Sequence, residues 1–199
     1  MLFNTEMISA LLDGRKTVTR RPVKMPLIDP DVGCEIAGCE VDQRIIENCP
    51  FGVVGDLLWV RETWRQFDAS NECGCSEAPC SCPFDGSPLY FATHDDGESK
   101  WKPSIHMPRW ANRLTLLITD VRIERVQDIT DEQAKKEGMI AIPDKSYIPE
   151  DKTSVVVPFM GLWQAMYKNW GANPYVWVIE FDVILDNVDS VLSQFGKAA

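Results

Sequence analysis

Gly55-Asp56-Leu57-Leu58-Trp59-Val60-Arg61-Glu62-Thr63-Trp64 is the stretch on which the fold of this chain turns. A glycine-aspartate turn opens onto a strand from Leu57 to Trp64, with Leu58, Val60, Glu62 and Trp64 on one face and Arg61, Thr63 and Arg65 on the other. From Leu57 to Val60 both faces are apolar. A strand covered on both sides suits a sheet that curls into a small barrel. Glu62 falls in the apolar phase, where a carboxylate must be paired, hydrogen-bonded or protonated, because burying it alone is costly.

On the N-terminal side, Asn4 or Thr5 caps a short helix that carries Met7, Ile8, Leu11 and Leu12 on one face and ends at Gly14. On the C-terminal side, a short strand lies around Leu89 to Ala92 and a long one runs from Leu114 to Val126. Thr130-Asp131-Glu132-Gln133 has the form of a capping box and starts a brief helix ended by Gly138. A helix from about Pro158 carries Phe159, Leu162, Trp163, Met166 and Trp170 and ends at Gly171, and a closing strand follows from Tyr175 to Ile184. Strands interrupted by helices without regular alternation predict an α+β fold, a small barrel of mostly antiparallel strands with flanking helices. The expected organisation is one domain over 2–184, with loop insertions around 23–52 and 66–88 and another loose connection from Ile140 to Val157. Residues 185–199 read as a C-terminal tail or a short surface helix.

The 199 residues are 45% hydrophobic, enough for a real core. No apolar run approaches the roughly 20 residues of a membrane span. Met1 to Asn4 lacks the basic start of a signal peptide, so the protein is expected in the cytoplasm. Seven cysteines, an odd number without an export signal, fit reduced thiols. The formal net charge of −10 makes sliding on a polyanion unfavourable, so any nucleic-acid contact has to be local.

The local cation is Gly14-Arg15-Lys16-Thr17-Val18-Thr19-Arg20-Arg21. Arg15, Arg20 and Arg21 suit phosphate through the guanidinium fork, or else the protein's own surplus acids. Lys16 and Glu62 are expected to meet in a cleft as a proton-moving couple, with Thr19 within hydrogen-bond reach as nucleophile or orienting group. Trp64, Trp101 and Trp110 are candidates for base stacking, with Arg109 placed for phosphate or a cation-π contact. Trp101 to Trp110 holds two prolines and reads as a fixed aromatic loop. Cys73, Cys75, Cys80 and Cys82 could hold one structural zinc, although their one-residue spacing departs from the usual two to four. His94 and His106 lack ligand spacing to them.

The order Gly14-x-Lys16-x-x-Thr19-x-Arg21, Gly55-Asp56-x-Leu58-x-Val60-x-Glu62, Ile129-Thr130-x-x-x-Ala134-x-x-Glu137-Gly138, a Trp-bearing helix and a final Val-Ile-x-Phe strand resembles the ASCH domain. It is most similar to the phage and prophage type, which carries the Trp101-x-Pro103-Ser104 and Met107-Pro108-Arg109-Trp110 loop. The resemblance implies a PUA-like β-barrel whose cleft takes RNA, a nucleotide or a modified nucleoside, with the Gly-x-Lys motif on its wall and no cofactor required. One bacterial branch of the family consists of amidohydrolases that deacetylate N4-acetylcytidine with a lysine, a threonine and a glutamate. Lys16 and Thr19 match the first two, and Leu117 stands at the position of the third. The alternatives are therefore an amidohydrolase or RNA-cleaving enzyme using Lys16, Thr19 and Glu62, and a phage accessory protein that binds a host protein.

Overall fold

The computed structural model describes residues 1–24, 43–75, 80–140 and 155–195. Most of the first expected insertion, residues 76–79 of the second, nearly all of the connection before Val157 and the last four residues lie outside them. In chain order the described residues form α1 (Thr5–Leu12), β1 (Val18–Pro22), α2 (Gln43–Glu47), β2 (Leu57–Trp59), β3 (Trp64–Gln66), α3 (Ala69–Glu72), β4 (Pro88–Tyr90), α4 (Phe91–His94), β5 (Thr115–Arg125), α5 (Asp131–Lys136), α6 (Val156–Tyr167), β6 (Tyr175–Ile184) and α7 (Val188–Phe195). None of these helices is long and apolar enough to cross a membrane.

The fold is α+β, and its contacts divide into two compact units, each assembled from separated stretches. One holds residues 1–9, 59–115 and 185–199, and the other 10–58 and 116–184. The second expected insertion, as far as it is described, and the segment after Leu185 are therefore parts of the first unit.

The larger unit contains a curled, half-barrel antiparallel sheet in the order β1-β6-β5-β2. β1 pairs with β6 from Val18 opposite Glu180 to Pro22 opposite Val176. Val176, Trp177, Val178 and Ile179 are buried in succession, so both faces of β6 are covered, as its unbroken apolar text requires. On one face Val18, Val176 and Val178 pack with Ala134 of α5 and with Val156, Phe159 and Trp163 of α6. Each such large apolar side chain contributes about 1.5–3 kcal/mol on burial. α6 starts two residues before Pro158, which the first helical turn tolerates because its N–H is not needed there. The helix stops earlier than Gly171, at Lys168, which takes the left-handed conformation with φ 56°.

In the smaller unit β3 and β4 form a two-stranded ladder with Trp64 opposite Tyr90. The strand expected over Leu57 to Trp64 is broken into β2 and β3, yet Val60, Glu62 and Trp64 remain buried and Arg61, Thr63 and Arg65 partly exposed. Between the strands the backbone bonds elsewhere: the Val60 N–H donates to Leu114 and that of Arg61 to Met1. The strand expected over Leu89 to Ala92 likewise stops at Tyr90 and turns into α4. The aromatic loop is irregular apart from two 3-10 turns, Ser104–His106 and Arg109–Ala111. Asn187 pins its end, with Nδ2 3.2, 3.1 and 3.0 Å from the carbonyl oxygens of Arg109, Trp110 and Asn112. Within the segment expected as a tail or a short surface helix, Val188–Phe195 form α7, whose Val188 and Val191 are buried.

Candidate functional site

The basic run leaves α1 through Gly14, whose φ of 69° suits a residue without Cβ, and continues beside the end of α5. There the Lys16 and Thr17 N–H groups donate to Ala10 and Lys136. α5 itself begins with the expected capping box between Thr130 and Gln133. It delivers Glu137 into the interior just before Gly138, where a Cβ would stand 2.8 Å from that of Ala10. Lys16 is fully buried, and its ammonium donates to Glu137 Oε2 at 2.7 Å, the Val18 carbonyl at 2.8 Å and the Glu137 carbonyl at 3.0 Å. Its three protons thus have three acceptors. Burial pushes its pKa below the ordinary lysine value, and Glu137 opposes that shift.

Arg20 is also buried and joins Glu137 Oε1 at 3.3 Å to Glu124 Oε2 at 3.1 Å. The network runs on from Glu124 to Arg122, which also binds Asp120 and Glu180, and from Glu180 to Lys136. Arg15 forks onto Asp13 and reaches the Gly138 carbonyl, and Arg21 is half-buried with Nη1 3.4 Å from the Arg20 carbonyl. Thr19 is buried opposite Ile179, and strand alternation turns its side chain to the other face of β1 from Arg20. The acid that holds Lys16 is therefore Glu137, where the sequence had offered Glu62.

Glu62 belongs to the smaller unit, buried, with Oε1 and Oε2 taken by Arg113 Nε and Nη2 at 2.9 and 2.8 Å. The Arg113 guanidinium lies 4.0 Å from the centre of the Tyr90 ring. Tyr90 donates its hydroxyl proton to the Ala111 carbonyl, and burial pushes its pKa up to about 12 against the opposing pull of Arg113.

The three expected stacking residues part company. Trp64 is buried with Tyr90, Met107 and Ala111. Trp101 is half-buried, with Arg65 at 5.2 Å from its ring and Phe91 edge-on at 5.4 Å. Trp110 is 54% exposed, set edge-on to Trp64 at 5.7 Å between centroids. Lys102 holds its ammonium 5.2 Å from the Trp64 ring, and Arg109 pairs with Asp189 while remaining about half exposed. Among the described residues of this unit, the buried nitrogens without a hydrogen-bond partner are Nε1 of Trp64 and Trp101 and Nε of Arg61 and Arg65. All are donors, and both guanidinium groups find acceptors through Nη1 instead, Arg61 at the Ile105 carbonyl and Arg65 at Glu72.

The sulfurs of Cys73, Cys75, Cys80 and Cys82 lie within 4.8 Å of one another, a set that could hold a metal ion. Cys73 and Cys80 are 3.4 Å apart, as are Cys75 and Cys82, and none is in a disulfide.

Sequence reasoning missed Glu137 and Arg113 as partners. A glutamate directly before a helix-ending glycine was a usable signal for the first. For the second, the apolar phase of Glu62 demanded a partner but could not say that it lay 51 residues on. No family model matches the chain, and no curated protein and no solved structure matches it.

Proposed function

We propose that this chain is a cytoplasmic binding module for RNA, a nucleotide or a modified nucleoside, on the small PUA-like barrel that its ASCH resemblance implies. The observation that carries the reading is Trp110. Its ring is half exposed, braced from behind by Trp64, and sits in a loop that Asn187 fixes, with Arg109 as its chain neighbour. A platform ordered beforehand avoids the entropic cost of immobilising an aromatic side chain on binding. The proposal includes a structural zinc on the four thiols and requires no other cofactor.

Binding is favoured over hydrolysis because the Lys16 ammonium has already given its three protons to oxygens in dry surroundings. Acting on a substrate would oblige it to abandon a buried partner. The amidohydrolase alternative draws on the burial of Lys16, which pushes its pKa below the ordinary lysine value.

The test is fluorescence anisotropy with short labelled single-stranded RNAs, alongside a panel of modified nucleosides followed by mass spectrometry. Trp110→Ala is expected to weaken binding by about 1–3 kcal/mol, the worth of one stacked base. Wild-type affinity in that variant, or no binding at low salt, would overturn the reading. Turnover of an acylated nucleoside that is lost in Lys16→Met with affinity kept would establish the enzyme instead.

A further inference from the structure

The described residues that carry the four cysteines, 69–75 and 80–85, bury no large side chain of their own. α3 is a four-residue helix with no buried side chain, too short to persist by its own hydrogen bonds. Asp68 caps it through the Ser70 N–H, and Asp85 accepts from the Ala69 N–H. All of these contacts are solvent-exposed. Yet four sulfurs from two Cys-x-Cys pairs converge here. Thiols are weak hydrogen-bonding groups and gain little from one another, and these are too exposed to be gathered by burial. The separation of 3.4 Å in two pairs and the outer limit of 4.8 Å bracket the edge of about 3.8 Å that a tetrahedron with metal–sulfur bonds of about 2.3 Å requires. The Cys82 N–H points to the Cys80 sulfur at 3.3 Å, a bond that strengthens when the sulfur is a thiolate.

Cys73 directly follows Glu72, and its N–H closes α3 onto Ala69. Glu72 Oε1 accepts from Arg65 Nη1 at 2.6 Å and from the Asp68 N–H at 2.9 Å, and Arg65 in turn covers Trp101. We propose that Cys73, Cys75, Cys80 and Cys82 close one tetrahedral zinc site, and that its occupation fixes α3 and through Glu72 the stack of Arg65 on Trp101. The inference rests on the zinc reading of the thiols and is independent of RNA binding. Four thiolates leave no open position, so the ion's role is structural. A soft sulfur set selects zinc over magnesium or calcium.

The experiment uses the full chain purified without added metal. Elemental analysis is expected to give one zinc per chain. Replacement by Co2+ should give the visible bands of a tetrahedral thiolate site, weakened in Cys75→Ser. Removing zinc with a chelator should change the tryptophan emission of the wild type. That change should be absent in Trp101→Phe and strongly reduced in Glu72→Gln, which keeps its zinc. Zinc bound with no such difference would overturn the link to Trp101 while leaving the site. Less than a tenth of an equivalent of zinc, with no cobalt bands, would overturn the site and the link together. Iron as the bound ion would overturn the choice of metal.

Discussion

Removing the Lys16 ammonium would leave the Glu137 carboxylate buried and dependent on Arg20 at 3.3 Å. Lys16→Met is expected to cost about 3–5 kcal/mol in urea denaturation, because breaking a buried pair strands the surviving charge. Glu137→Gln should destabilise as well, and the double variant should fall short of the sum by more than about 0.5 kcal/mol, the signature of direct contact. Additive effects would mean that the two do not support each other. The demand of each charge was readable in the sequence and its partner was not. Glu62 in an apolar phase announced a partner, and so did the run of cations at residues 15–21 in an acidic chain. Pairings across 121 residues for Lys16 and Glu137 and 51 for Arg113 and Glu62 depend on how the strands assemble, which no local pattern encodes.

At the level of elements, the turn after α5 brings Glu137 to Lys16, and Gly138 makes it possible with φ 88°. Gly138→Ala should cost at least about 1–2 kcal/mol from left-handed backbone alone, and more because its Cβ would meet Ala10 at 2.8 Å. Gly14→Ala is the control: its φ is 69°, but nothing lies within 4 Å of the added carbon. Thermal melts should therefore rank Gly138→Ala well below Gly14→Ala, and equal melts would mean that the turn relaxes freely. The capping box and the closing strand were legible because their signals are local, a hydroxyl three residues from a glutamine and ten residues of β-forming text. The strand through Leu57 to Trp64 was legible only as a burial pattern. Alternation survives between β2 and β3, where Val60 and Arg61 bond to Leu114 and Met1, so periodicity reported which side chains face inward and not which backbone pairs.

Across the whole chain, α1, β2 and β5 each give residues to both units, so no single cut in a connecting loop separates them. Residues 185–195 are integral to the smaller unit through Asn187, Val188 and Val191. A chain ending at Ile184 is expected to lose the Trp64–Trp110 arrangement and to melt at a lower temperature. Asn187→Ala alone should cost about 0.5–1.5 kcal/mol, because only the part-buried Asn112 carbonyl is left without a ready substitute while those of Arg109 and Trp110 can turn to water. Calorimetry with tryptophan emission checks both, and an unchanged melt in the shortened chain would show that α7 is dispensable. The sequence left a tail or a short surface helix open here: Val188, Val191, Leu192 and Phe195 stand at helical spacing, but a single eight-residue turn of pattern cannot say what its apolar face packs on.

The Asn187 clamp also has a temporal side. It grips carbonyls 75 to 78 residues upstream, so the ribosome adds the clamp only after the loop that it holds has emerged. At about 5–20 residues per second that is a delay on the order of 4–15 s, during which Trp110 and its neighbours are open to chaperones and proteases in the nascent polypeptide.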